Sequence, residues 1–341
     1  METLRVSTKN ITYGDFRPFF RGPVRVSLTK KASSNINRSN ARLHSILDKE
    51  ETIYGVNTGF GNLSHIAILP EDQKQLQINL IRSHAAGIGE PLELGIVRSV
   101  LFLKLLTFAH GYSGVRLALA KKIIQFINKD ILPLIPEKGS VGASGDLAPL
   151  GHMALSLIGE GKVFYKGKKY DTRTALKKAN VKPLVLGPKE GLSLINGTQV
   201  STALAIKACL DGEILIRTAD IAGALSVENS FSSRKVFRSE IHAIKKHPGQ
   251  LSSAKNVYRT LNGSEVVRSH DNCGKVQDPY SFRCIPHIHG ACRDSFMNSA
   301  MIVNNEINSV SDNPLIMDKG NIVSSGHFHA EHLAQAMDTL G

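Results

Sequence analysis

The sequence predicts a mainly α-helical protein, in which a small mixed α/β N-terminal portion is followed by a bundle of long antiparallel helices. Two observations carry this expectation. Residues Thr198 to about Val227 run without proline and are apolar on most sides, broken only by narrow polar rows such as Glu213, Arg217 and Asp220. A helix of that kind must be buried among others. Strand-like alternation is confined to short pieces, at Leu4 to Val6, Val24 to Leu28 and Val163 to Tyr170. We therefore expect a portion spanning residues 1–195 and a long-helix domain spanning 196–341.

In order, Ser39 to Leu47 has helical spacing, and Thr52 to Gly61 is a glycine-rich loop around Tyr54. Pro70-Glu-Asp should open a helix running through Leu76, Leu80 and Ile81 to His84, since proline and acids suit a first turn. Helices are expected over Arg98 to His110, over Val115 to Ile131 with Ile123, Ile127 and Ile131 on one face, and over Leu147 to Ile158. Val163 to Tyr170 reads as a hairpin. Ser233 to Asn272 is polar and weakly patterned, either a linker or an exposed excursion, and a helix through Met297 and Met301 to Val310 should end at Ser311-Asp-Asn-Pro. Ala330 to Leu340 forms a last helix with Leu333, Met337 and Leu340 on one face.

The 341 residues are 42% hydrophobic, enough for a large core, with no run of eighteen apolar residues and no signal-type N-terminus. A cytoplasmic protein without a membrane partner is expected. Four cysteines without Cys-x-x-Cys spacing indicate neither zinc nor disulfides, and reduced, mostly buried thiols are expected. The formal charge of +13 raises the question of a polyanion, but much of it is local: Lys162 to Lys189 holds nine Lys or Arg against Asp171 alone. No nucleic-acid motif accompanies it, so a solvated face is expected there and no nucleic-acid partner.

The chemistry points to Glu137 to Met153, where Gly139, Gly142 and Gly145 surround Ser144, and Asp146 precedes an apolar run. No lysine follows the last glycine as a phosphate loop requires, and Gly142-Ala-Ser-Gly-Asp146 lacks Gly-x-Ser-x-Gly spacing. A turn that merely caps a helix is one reading. The other is covalent: the unhindered Gly145 nitrogen attacks the Ala143 carbonyl carbon, and loss of water with dehydration of Ser144 gives a methylidene-imidazolone, an electrophile the twenty side chains do not supply.

Ala143-Ser-Gly-Asp-Leu-Ala-Pro-Leu150 resembles the signature of the aromatic amino acid ammonia-lyases, in particular their histidine-specific members. Tyr54-Gly-Val-Asn-Thr-Gly-Phe-Gly61, Asn196 in Glu190 to Ser201, and Gln277-Asp-Pro-Tyr-Ser-Phe-Arg283 resemble further family motifs. The resemblance implies 4-methylidene-imidazol-5-one (MIO) formed from Ala143, Ser144 and Gly145, and ammonia elimination from L-histidine to urocanate. Tyr54 is implied as general base, with Tyr280 in the catalytic set. It implies His84, beside Ser83, as the contact to the substrate ring, Arg283 for the carboxylate, whose fork suits a planar anion, and Asn196, Gln277 and Phe328 as substrate contacts.

His287-Ile-His289 and His327-Phe-His-Ala-Glu-His332 match no metal motif, and no metal is expected; the family carries Gly-Asn-Phe-His-Ala-Glu where this chain has Gly326-His-Phe-His-Ala-Glu331. His287, His327 and His332 are departures from the family pattern. The family is tetrameric, with sites shared among three subunits, so a homotetramer is implied. Full-length members continue past the position of Gly341 into helices that carry a site glutamate. The chain is therefore expected to be C-terminally shortened relative to them, prone to associate through apolar faces, and weakly active or inactive without that segment. Lyase or aminomutase action on tyrosine or phenylalanine, and a non-catalytic basic binding protein on a lyase scaffold, are the alternatives.

Overall fold

A computed structural model describes residues 2–49, 53–319 and 321–341. Thr52, at the head of the Tyr54 loop, lies outside the described residues. Two compact units result, Met1–Ile206 with Val303–Ala334, and Lys207–Ile302 with Gln335–Gly341. The expected boundary at 195 and 196 falls inside the first unit.

The first unit is organised on the helix Leu94–Ala109, every residue of which except Leu94 is buried. Its apolar side chains point all round the axis, so nothing but burial on every side satisfies them. Phe102 closes an aromatic cluster with Phe16 and Phe19, at centroid distances of 5.7 and 5.0 Å. The helix Lys30–Leu47 buries Ala32, Ile36, Leu43 and Ile46 and begins well before Ser39, capped by Thr29, which accepts the Ala32 N–H. Its early turns hide in the sequence because their inner face carries Asn35, whose amide donates to the Ala109 carbonyl at 3.0 Å.

Strands form only small sheets: Thr3–Val6 parallel to Arg25–Leu28, Ile88–Pro91 against Pro136–Lys138, and Leu315–Ile316 against Ile322–Val323. A three-stranded sheet joins Ile131–Pro133 to the hairpin Lys162–Tyr165 and Lys168–Asp171. Here one expectation fails: the helix Leu117–Asn128 stops before Ile131, which pairs with Tyr165 after Asp130 takes φ +51°. Ile123 and Ile127 are buried as a helical face and Ile131 as a strand residue. The helix Gln73–His84 also starts later than Pro70, on Asp72 as N-cap. The basic run is not wholly solvated either, because Lys189 is fully buried.

Of the second unit, Lys207 onward continues the helix Gln199–Asn229, and Ile285–Ile307 supplies a second long helix up to Ile302. The Ser233 to Asn272 stretch is neither linker nor excursion. It folds into Ser239–Ala243, Pro248–Thr260 and Glu265–Ser269, and its sparse apolar residues Phe237, Val257, Leu261 and Val267 form one core with Ala224, Val227 and Ile285. Of the cysteines only Cys209 is buried; Cys273 and Cys292 are exposed. Among the described residues no helix is long and apolar enough to cross a membrane.

Candidate active site

In the first unit a cavity of about 590 Å³ is lined by Tyr54, Phe60, His84, Ser144, Asn196 and Phe328. Sequence positions more than 270 apart thus meet in one place. Leu80, Leu147, Leu192 and Ile195 give it apolar walls, and Asn313, Ser324 and Ser325 add polar ones.

The turn that presents Ser144 is closed by backbone bridges of Gly142 and of Ala143 to Gly145. Gly145 has φ +84°, and a Cβ there would lie 2.8 Å from the nitrogen and 2.9 Å from the oxygen of Gly197, so only glycine fits. Asp146 locks the turn from behind. Its N–H donates to the Gly197 carbonyl at 2.8 Å. Its buried carboxylate accepts the N–H groups of Val200 and Ser201 at 2.8 Å and the hydroxyls of Ser140 and Ser201 at 2.6 Å. An anion on the free N–H groups that start Gln199–Asn229 is favoured by hydrogen bonding and by the helix dipole together. The Ala330 N–H donates to the Gly142 carbonyl at 3.0 Å and brings the Phe328 segment to the other end of the turn.

Tyr54 is half-buried, its ring edge-on to Phe60 at 6.0 Å, and its oxygen accepts the Gly61 N–H at 3.2 Å. The loop is pinned by Gln77, whose amide donates to the Gly55 carbonyl at 2.9 Å and accepts the Leu192 N–H at 3.0 Å. His84 ends the helix Gln73–His84, and its Nδ1 lies 2.8 Å from the Leu80 carbonyl. A carbonyl only accepts, so Nδ1 carries the proton and Nε2 of the neutral ring is an acceptor.

Asn196 follows the short helix Glu190–Ile195 and is 7% exposed; its side-chain oxygen is buried without a hydrogen bond among the described residues. Beneath it lie two fully buried lysines that sequence reasoning missed. Lys104 Nζ donates to the carbonyls of Ser193 and Asn196 at 3.1 and 3.0 Å. Lys189 Nζ donates to the Ser193 hydroxyl at 2.7 Å and reaches Asp312 at 3.3 Å. Burial pushes both ammonium groups down, Lys104 to about 7. In the sequence, Phe102-Leu-Lys-Leu-Leu106 gives no sign that the lysine points inward. Phe60, by contrast, was within the Tyr54 motif and could have been found there.

Gln277, Tyr280 and Arg283 belong to the second unit. Tyr280 and Arg283 share the turn Tyr280–Arg283, with the guanidinium 4.9 Å from the ring centre and its Nε donating to the Asp278 carbonyl at 2.7 Å, while exposed Gln277 precedes the turn. His289 in the same unit approaches buried Asp220 at 3.1 Å. His327, His329 and His332 line a separate cavity of about 470 Å³ in the first unit with Glu306 and Glu331. Burial raises the Glu306 carboxyl above its ordinary range, against a hydrogen bond from Thr198. No cluster of three or more potential metal ligands occurs among the described residues.

Comparison with known proteins places residues 11–341 on the aromatic amino acid lyase family. The chain is 47% identical over 333 residues to the histidine ammonia-lyase of Yersinia enterocolitica, covering 97% of this chain and 66% of that one. It is 43% identical over 338 residues to that of Desulfotalea psychrophila, covering 99% and 66%. The solved histidine ammonia-lyase of Trypanosoma cruzi superposes with a TM-score of 0.90 at 33% identity, over 100% of this chain and 64% of that chain. Pantoea agglomerans phenylalanine aminomutase does so at 0.92 and 32%, over 100% and 69%. The chain thus spans 66% of the length of both curated relatives.

Proposed function

We propose that this chain, which belongs to the aromatic amino acid lyase family, eliminates ammonia from L-histidine to give urocanate. The observation that carries the reading is the joining of Tyr54, His84 and Asn196 around Ser144 in one cavity. The relatives named histidine ammonia-lyase, at 43 and 47% identity, support the choice of substrate.

Ala143, Ser144 and Gly145 would carry MIO, and their geometry fits it: Ala143 and Gly145 are bridged and Gly145 offers a nitrogen with no side chain to obstruct it. Once formed, the group supplies an electrophile for the departing amine. The chain's own residues do the rest. His84 Nε2 accepts from an imidazole N–H, which a phenyl ring lacks. As a phenolate, the Tyr54 oxygen takes the β-proton and becomes the neutral phenol, with the Gly61 N–H donating to it. Asn196 and Phe328 hold the substrate, and apolar Leu80, Leu147 and Leu192 exclude water from the reacting carbons. Gln277, Tyr280 and Arg283 contribute in a homotetramer whose subunits share each site, with Arg283 holding the carboxylate, and the protein works in the cytoplasm without a metal.

A second reading, lyase or aminomutase action on tyrosine or phenylalanine, draws support from the Pantoea likeness, and a tyrosine hydroxyl could also donate to His84. Ammonia release from L-histidine, L-tyrosine and L-phenylalanine in parallel separates the two. Turnover of L-histidine, weak in this chain and rising when a C-terminal segment is supplied, is expected, with the others at background. Preference for either aromatic substrate selects the second reading, and salt-sensitive retention on polyanions with no ammonia released from any substrate selects a basic binding protein.

A further inference from the structure

Lys104 is a buried cation on a mostly apolar helix, and its hydrogen-bond acceptors are main-chain carbonyls, with the Phe108 ring centre 5.9 Å from its Nζ. Its ammonium group donates to two neutral carbonyls, Ser193 and Asn196, which are orphan acceptors at the end of Glu190–Ile195. Asp312 and Asp146 attract it from farther away and Lys189 repels it, so burial dominates and pushes its pKa down to about 7. Taking a cation out of water is costly without excellent compensating geometry. A leucine or methionine would fill the same space without that cost. What the lysine adds is fixation of the Asn196–Gly197 backbone. Gly197 in turn accepts the Asp146 N–H and lies where any Gly145 side chain would be. The Asn196 side-chain oxygen is buried without a hydrogen bond among the described residues, so no side-chain donor there fixes it apart from this backbone.

We propose that Lys104 is the positioning residue of the site: by holding the Ser193 and Asn196 carbonyls, it fixes the ledge against which the Ala143–Ser144–Gly145 turn and the Asn196 side chain are set. The consequences for turnover rest on the lyase reading; the positioning itself does not.

The test compares Lys104→Met, which keeps the stem and removes the donors, with Lys104→Gln and Lys104→Arg. Amide exchange is read at Asp146, whose N–H meets the Gly197 carbonyl, and at Val100 as a control within the buried helix. In Lys104→Met the Asp146 protection should fall about tenfold or more, with Val100 unchanged. Turn dehydration, read as mass loss, and kcat for L-histidine should fall while KM changes little, and Lys104→Arg should restore part of each. Should Lys104→Met fail to fold, Lys104→Gln carries the same comparison. Unchanged Asp146 protection in a folded Met or Gln variant overturns the proposal, as does loss of protection at Asp146 and Val100 alike, which would mark a general structural role. If the unsubstituted chain shows neither mass loss nor turnover, the lyase reading fails and the exchange measurement still decides the role of Lys104.

Discussion

Replacing Gly145 with alanine tests whether the backbone under Ser144 is as tightly set as the structure requires. Two costs add. At φ +84° an alanine sits where a side chain is disfavoured by about 1 to 2 kcal/mol. Its Cβ would stand 2.8 Å from the Gly197 nitrogen and 2.9 Å from the Gly197 oxygen, both backbone atoms. Gly197 cannot retreat easily, since it has φ +135° and its own α-carbon faces the Ser311 carbonyl and Gln199, and overpacking of this kind costs about 1 to 3 kcal/mol. Together Gly145→Ala should lose about 2 to 5 kcal/mol, a large part of the 5 to 15 kcal/mol typical of a folded domain. Urea unfolding of the soluble variant gives the number, and intact-mass measurement of the same sample shows whether dehydration still occurs. Ser144→Ala is the control, because Ser144 is exposed and its loss should change stability by no more than about 0.5 kcal/mol. A Gly145→Ala protein as stable as Ser144→Ala would refute the account of the turn.

His84→Leu should weaken L-histidine binding by about 1 to 3 kcal/mol, seen as a raised KM, and unchanged histidine turnover would remove His84 from the site. Glu190 is buried and accepts a bidentate pair from Arg116 as well as the N–H groups of Arg116 and Gly187. Glu190→Ala, which strands these donors, should cost about 3 to 5 kcal/mol by urea unfolding; a loss under about 1 kcal/mol would contradict the cluster's role. Lys104 also sets a pH dependence. Its pKa is about 7 folded against an ordinary 10.5, so between these values the unfolded chain binds more protons and stability rises with pH, by up to about 1.4 kcal/mol per unit. Below about 7 both states are charged and the penalty is constant. Buried Lys189, also lowered, acts in the same direction. Unfolding at pH 7 and 9 should show this slope, and Lys104→Met should flatten it; equal slopes would count against a Lys104 whose pKa burial has lowered.

The residues that chemistry constrains most were the most legible. Ala143-Ser-Gly-Asp, the Tyr54 loop and Asn196 are marked by glycines and short polar motifs, and the helix Gln199–Asn229 by its uninterrupted apolar run. What escaped depends on distant partners. Lys104 finds its acceptors about ninety positions away, and nothing local distinguishes it from a lysine snorkelling to the surface. The Ser233 to Asn272 helices were hidden because the whole stretch gives only Phe237, Val257, Leu261 and Val267 to a core shared with Ala224, Val227 and Ile285. At Ile131 the helical period continues in sequence after the backbone has left the helix through Asp130, since one buried isoleucine satisfies either pattern.

Conversion of Ala143, Ser144 and Gly145 into a single electrophilic group, the step on which the proposed lyase chemistry depends, is read directly by intact mass under denaturing conditions. Closure and dehydration remove two waters, so the folded, soluble chain should weigh about 36 Da less than its sequence, and Ser144→Ala should show no such loss. A folded chain at its full sequence mass would contradict the account.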